Sequence, residues 1–581
     1  MSSGEVWSVR GPVIVARGLG AVRLYDSVRV GGDAIRGEVI RLEGDRAVIQ
    51  VYEDPAQLTA GDPVLATGRP LEVELGPGLL GSIVDGIQRP LPVLAGSRDG
   101  LPVNYMLERG AEAPGIARDR EWEFEPAVAE GDTVGPGDLL GTVRETAAFE
   151  HRVLVAPDGG GRVDAVEGGR RRVDEPVVWL DGEEVSMLRR WPVREPRPVA
   201  RTLDPDVPFV TGQRVVDSLF PIARGGTAAI PGGFGTGKTV LEQSLVKWGH
   251  ADVVVYVGCG ERGNELTEVL EEFPALEDPR SGASLMERTI LVANTSNMPV
   301  AARESSVYTG MAMAEYYRDQ GCNVALVADS TSRWAEALRE VSSRLEEMPA
   351  EEGYPAYLSS RLAEFYERAG RAVCLGHDER EGSVTVVGAV SPPGGDFSEP
   401  VTQHSLRLVG TFWALDTELA RQRHFPAVGW GQSYTLYDLG RALDEEAGEG
   451  FSDDRAWALA LLAEEESVLE LVQLMGADSL AAEQKVVLRT GRLLREDFLQ
   501  QSAFDETDAY SPLRKQREML RVIRRAHEAM RGALEEAGDV EALLSSAPLG
   551  EIARMRTWTA EESSERATDL IGRIEQEMTA Q

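Results

Sequence analysis

Lys238 and Thr239 close the octapeptide Gly232-Gly233-Phe234-Gly235-Thr236-Gly237-Lys238-Thr239. A lysine and a hydroxyl at this spacing behind glycines are suited to gripping phosphate. The glycines let the backbone curl until successive N–H groups, through Val240, point into one concavity beside the positive end of a helix dipole. Lys238 reaches the β- and γ-phosphates of a nucleotide from such a loop, and Thr239 offers its hydroxyl to Mg²⁺. The flanks suit this reading. Thr227 to Ile230 is small and apolar enough for a buried strand, and Val240 to Trp248 places Leu241, Leu245 and Trp248 on one helical face. A glycine-rich turn with a chance lysine is the bland alternative, and lysine usage weighs against it. Lysine occurs only at 238, 247, 485 and 515, while arginine supplies the rest of the 60 basic residues. A site that wants a compact ammonium has no use for arginine's planar fork.

Two more apolar runs end in polar residues. Val253 to Gly258 leads into Cys259-Gly260-Glu261-Arg262, and Val324 to Ala328 leads into Asp329-Ser330-Thr331. Parallel sheets bind ligands beyond the carboxyl ends of their strands, so three strand ends deliver Lys and Thr, Glu and Arg, and Asp and Ser. The implied chemistry is nucleotide hydrolysis. Asp329 holds the water shell of a Mg²⁺ ligated by Thr239, Glu261 orients and polarises the attacking water, and Arg262 steadies the γ-phosphate or holds Glu261. A structural Glu261–Arg262 ion pair is the alternative. No arginine is marked as the finger on this chain's own γ-phosphate, a part that can contribute ~10³–10⁵ in rate. A neighbouring subunit is expected to supply it.

The elements that position these residues form a multidomain α/β chain. Residues 1–72 are short alternating runs between Gly and Asp, as in a small closed β-barrel. Residues 73–115 read as a linker and the start of the central domain. An inserted β-rich unit is expected at 116–190, where Gly131-Asp132 and Gly137-Asp138 mark repeated turns like those of lipoyl-type sandwiches. With no lysine to carry a prosthetic group, this unit is structural or an interaction surface. Strands and helices alternate over 191–435, which opens with the phosphate loop. Helical spacing governs 436–581, with apolar stripes over Ala456–Leu474 and Arg514–Ala537. The acidic stretch Asp444–Asp454 reads as a solvated loop in preference to a partner contact.

The 581 residues are 42% hydrophobic and 27% charged, a globular composition. No apolar run approaches the ~20 residues of a membrane helix, and the N-terminus lacks a signal-peptide core, so a soluble cytoplasmic chain is expected. Cys259, Cys322 and Cys374 are isolated thiols, and the six histidines are scattered, a pattern without a transition-metal site. The net charge of −36 argues against nucleic acid and anionic lipid as direct partners. It also suggests adaptation to high salt, where screening relieves self-repulsion.

Beyond the motifs above, the chain carries SNMPVAARE (296–304), EEMPAEEGYPAYL (346–358), GAVSPPGGDFSEPVT (388–402) and RHFPAVGW (423–430). Together with GGFGTGKT, GCGERGNE (258–265) and ADSTSRWAEALRE (328–340), they resemble the catalytic A subunit of V/A-type rotary ATPases along essentially the whole chain. The long insertion separates this pattern from the F-type β subunit, and Lys238 separates it from the non-catalytic B subunit. The resemblance implies ATP or ADP with Mg²⁺ at three sites of an alternating A₃B₃ hexamer. It also implies central and peripheral stalk subunits and a membrane ring of other chains that moves H⁺ or Na⁺, which leaves this chain cytoplasmic and peripheral to the membrane. It places Phe425 and Phe504 around the adenine, with Phe234 near it, where aromatic stacking favours a purine. Core phenylalanines are the alternative for these three. Eukaryotic relatives have a cysteine where this chain has Thr236, so their redox switch is expected to be absent.

Two other classes compete. Another hexameric P-loop ATPase, such as a secretion ATPase or a Rho-like RNA translocase, fits less well because of the insertion, the helical tail and the acidity. A non-hydrolysing structural subunit would have lost Lys238 or Glu261, and both are present.

Overall fold

The computed structural model describes residues 2–94, 96–98, 101–102, 107–263, 273, 275–476, 479–534 and 540–580. Six strands open the chain: β1 (Ser3–Arg10), β2 (Val13–Arg17), β3 (Asp26–Val30), β4 (Ile35–Glu43), β5 (Arg46–Val51) and β6 (Pro63–Pro70). They close into a barrel in the order β1-β2-β5-β4-β3-β6, with β6 pairing back onto β1. Alternate residues such as Val28, Val30, Ile35, Val39 and Ile49 fill its interior. Closure leaves no free sheet edge.

The insertion comprises two four-stranded antiparallel sheets. One runs Glu150–Leu154, Leu139–Arg144, Glu121–Pro126, Gly169–Arg172, and the other Thr133–Val134, Gly161–Val166, Pro176–Leu180, Glu183–Ser186. A buried polar cluster seats the unit on the rest of the molecule. His151 lies with Nδ1 2.7 Å from Glu145 and Nε2 2.8 Å from the Tyr316 hydroxyl, while the Tyr317 hydroxyl donates to Glu145 at 3.1 Å.

The central sheet is built on β7 (Thr227–Pro231), β8 (Val253–Glu261), β9 (Thr289–Thr295), β10 (Asn323–Asp329) and β11 (Glu381–Val390). Their spatial order is β7-β11-β10-β8-β9, parallel throughout. Strands buried on both faces read as unbroken apolar runs, and Val253–Val257 is one, each residue wholly or nearly wholly buried. Ile83–Val84, within the expected linker, adds a parallel edge strand beside β9. Helix α1 (Lys238–Trp248) follows the loop after β7. Helix α2 (Val300–Asp319) is buried along almost its whole length. Helix α3 (Thr331–Arg344) begins where the Ser330 hydroxyl accepts from the Arg333 N–H and so satisfies one of the N–H groups that a helix start leaves unpaired.

The carboxyl-terminal part is helical, dominated by α4 (Phe451–Met475), α5 (Leu513–Ala533) and α6 (Ala560–Ala580). Its apolar core is continuous with that of the central domain, Leu241, Val215 and Leu219 sharing a cluster with Leu520 and Ile523. The acidic stretch differs from the solvated loop expected of it. It forms helix Gly440–Ala447 and the first turn of α4, and Asp454 is buried against Arg524 at 2.8 Å. That arginine is distant in sequence, so nothing local signals the pairing.

Candidate functional site

Four parallel strands end side by side, and the site stands on those ends. Gly232 to Gly237 turn the chain from β7 into α1, with Gly235 at φ 79° and Gly237 at φ 82°. This is the left-handed region that side chains disfavour. Thr236 is buried inside the turn, where its hydroxyl donates to the Gly233 carbonyl at 2.8 Å. Gly237 has a second reason to lack a side chain, since a Cβ there would sit 3.1 Å from two ring carbons of Phe425. The loop therefore presents backbone, open to solvent at Gly235, where a Cβ would meet nothing within 4 Å.

Lys238 starts α1 and reaches across the sheet. Its ammonium donates to the Ser391 hydroxyl and lies 3.3 Å from the Asp329 carboxylate. Asp329 ends β10, is 3% exposed, and accepts from the Tyr256 hydroxyl at 3.3 Å. Ser391 directly follows β11, and its N–H donates to the Ser332 hydroxyl at 2.8 Å. Thr239 is exposed in the first turn of α1 with Val240 beside it. The donor set suits a magnesium nucleotide. The ammonium and the amide cradle match phosphate, and one hydroxyl with one carboxylate match Mg²⁺, which takes few protein ligands and completes its shell with phosphate oxygens and water.

Glu261 ends β8, which pairs with β10 through Gly258 and Asp329. The Glu261 side chain lies outside the described residues, as do Asn264 and Glu265 of the same motif. Gly260 before it has φ 77°, and a Cβ there would approach Arg303 Cδ at 2.8 Å and Arg333 Cβ at 2.9 Å. Arg262 is exposed, with its guanidinium 5.7 Å from the centre of the Phe234 ring.

The three candidate aromatics are all on the surface. Phe234 is 91%, Phe425 37% and Phe504 93% exposed, so they are not core phenylalanines. Phe425 touches the phosphate loop at Gly237, whereas Phe504 stands on a separate loop. Burial lowers the pKa of His424, next to Phe425. Its Nε2 lies 2.9 Å from the Arg495 carbonyl.

Ser391 escaped the reading by residue type, although its signal was present. It follows the apolar run Val384–Val390 as Asp329 follows its own run.

Family descriptions match four stretches of the chain. These are the beta-barrel domain of the ATP synthase alpha/beta family at 6–68, the ATP synthase alpha/beta subunit barrel-sandwich domain at 113–194, the nucleotide-binding domain of that family at 212–435, and the C-terminal domain of V and A type ATP synthase at 441–542. The A subunit of the A-type ATP synthase of Methanopyrus kandleri is 54% identical, covering 99% of this chain and 98% of that protein. The V-type ATP synthase alpha chain of an Anaeromyxobacter species is 59% identical, with 92% of each chain covered. The chain belongs to the family of A-type ATP synthase A subunits and V-type ATP synthase alpha chains. Another member, from Haloferax volcanii, is 56% identical over 96% of this chain and 95% of its own. Among solved structures, the assembled type III secretion ATPase EscN of enteropathogenic E. coli matches with TM-score 0.63. It covers 90% of this chain and 99% of its own at 24% identity, a likeness of fold alone.

Proposed function

We infer that this chain hydrolyses or synthesises ATP as the catalytic subunit of a V/A-type rotary ATPase. The observation that carries the reading is the convergence of Lys238, Ser391 and Asp329 on adjoining strand ends, with Lys238 Nζ 3.3 Å from the Asp329 carboxylate. The Lys238 ammonium contacts Asp329 and Ser391. When a triphosphate enters, the ammonium and the amides of Gly233 to Val240 take its β- and γ-oxygens. Thr239 would ligate Mg²⁺ and Asp329 would hold its water shell, and the bound ion would supply charge neutralisation at the phosphates. Glu261 accepts a proton from the water that attacks the γ-phosphorus, and ADP leaves in line. Arg262 steadies the γ-phosphate, while Phe425 and Phe504 bound the adenine with Phe234 nearby.

The same reading divides the chain at 1–72, 73–115, 116–190, 191–435 and 436–581. Its partners are B-type subunits alternating with it in a hexamer, one of which supplies the arginine finger, together with central and peripheral stalks. Other chains move H⁺ or Na⁺. No helix among the described residues is long and apolar enough to cross a membrane, which suits a chain held at the membrane by those partners.

Replacing Glu261 with Gln tests the assignment in the assembled complex. ATP binding is expected to persist while turnover falls by ~10²–10⁴-fold, the worth of one positioned base. Lys238→Ala is expected to weaken nucleotide binding itself. Near-normal turnover by Glu261→Gln would remove Glu261 as the base.

A further inference from the structure

We propose that Arg214 and Gln501 are positioning residues for base recognition, holding the segment that carries Phe425 and the loop that carries Phe504 at a fixed spacing. The inference rests on the reading above that these rings face the adenine.

Arg214 is fully buried, a position that is costly for a charge unless the guanidinium is fully engaged. Its side-chain donors go to one short segment, the end of helix Leu493–Leu499 and the loop after it. They reach the carbonyls of Phe498 and, at 2.8 Å, Gln500, and pair with Asp508 at 2.6 Å. Its backbone N–H donates to the Gln501 side chain at 2.8 Å. Gln501 then reaches in three directions. Its amide group donates to the Gly212 carbonyl at 2.8 Å and the Asp508 carbonyl at 2.7 Å, and its backbone N–H donates to the Phe425 carbonyl at 2.8 Å. The loop from 500 to 508 is thus pinned at both ends, and Phe504 projects from its middle. One residue, Gln501, ties that loop to the backbone of Phe425, whose ring lies against the phosphate loop.

Domain glue is the plainer explanation, and the same seam shows why it is insufficient. Gln516 of α5 already joins the two domains, donating to Asp217 at 2.9 Å and accepting from the Ser218 hydroxyl at 2.7 Å. Those bonds secure the helices without touching the aromatic segments. The Arg214 bonds run to the loop of Phe504, and those of Gln501 add Phe425.

The test compares ATP with inorganic tripolyphosphate, which engages the phosphate loop and has no base. In the full-length chain, the double substitution Arg214→Met with Asp508→Asn removes both buried charges together. ATP affinity is expected to fall about tenfold, the size of one lost base–aromatic stack. Tripolyphosphate affinity is expected to stay within about twofold of wild type. Gln501→Leu, which leaves no charge unpaired, carries the same expectation if the double variant fails to fold. Equal losses for the two ligands would reduce Arg214 and Gln501 to structural supports and overturn the proposal. So would unchanged ATP affinity in folded variants when Phe425→Ala weakens it. If Phe425→Ala itself leaves ATP affinity unchanged, the base-pocket reading falls, and the proposal with it.

Discussion

Thr236 is buried inside the phosphate loop, and its hydroxyl braces the turn from within. The bond to the Gly233 carbonyl is 2.8 Å long and the side chain is buried, so the loop is shaped before any phosphate arrives. A net contribution of ~0.5–1.5 kcal/mol for such a bond corresponds to a few-fold in affinity. Thr236→Val keeps the shape and removes the donor, so ATP binding is expected to weaken by roughly three- to tenfold in calorimetric titration. Thr236→Ser should bind within about twofold of wild type. A valine variant that binds as tightly as the wild type would show that the brace is idle.

At the scale of elements, α5 is held to its neighbours through a histidine that the fold keeps uncharged. His527 Nδ1 lies 2.9 Å from the Thr490 hydroxyl of helix Ala482–Arg492, and its ring packs 5.6 Å from that of Trp457 on α4. Burial first, and then the charge of Arg531, push its pKa down to about 4, with Glu528 opposing. The unfolded imidazole titrates near ~6.5, so between those values the unfolded chain binds more protons. His527 therefore adds stability that is fully present above pH ~6.5 and is lost as pH falls toward 4. Asp217, raised to about 6 by burial, slopes the opposite way over part of that window. The informative measure is the difference between wild type and His527→Gln. From pH 7 to pH 5 the melting temperature of wild type should fall further than that of the variant. Parallel acid limbs would show that His527 does not set this dependence.

The elements that hold the site were legible wherever burial leaves a continuous mark. Val253–Val257 and Val324–Ala328 announce β8 and β10 because both faces are covered, and the glycine pattern announces the turn between β7 and α1. Legibility failed where distant charges meet. Within α2, Glu304 pairs with Arg194 at 2.7 Å and Glu315 with Arg368 at 2.6 Å. A helix that carries two Glu and two Arg thereby disappears into the core, which no 3.6-residue pattern reveals. The two-residue strand Ile83–Val84 is too short to carry a period at all. Thr239, Lys238 and Asp329 could be placed from sequence because motif and strand end coincide. The Arg214–Gln501 contacts could not, since they join residues that the chain separates by almost 300 positions.

For the molecule as a whole, the decisive quantity is the charge of −36. With 96 acidic and 60 basic residues, that much negative charge stays uncompensated however the basic residues are paired. Folding crowds the charges together, and the expanded unfolded chain relieves the crowding. Salt acts on this balance in two directions. It weakens exposed ion pairs such as Arg441–Glu445 and Arg492–Glu496, but such pairs contribute only ~0–1 kcal/mol each. It also screens the uncompensated repulsion, which acts over the whole surface. The Debye length falls from ~10 Å at 0.1 M to ~3 Å at 1 M, shorter than the usual spacing between neighbouring surface carboxylates. Screening of repulsion should therefore win, and the melting temperature is expected to rise between 0.1 M and 2 M KCl without nucleotide. Sulfate would confuse the result, because it strengthens apolar burial in any protein and competes for the phosphate loop. A melting temperature that stays flat or falls across the chloride series would mean that the acidity is not an adaptation to salt. That result would leave the ATPase reading intact, because the site stands on four strand ends and owes nothing to the net charge.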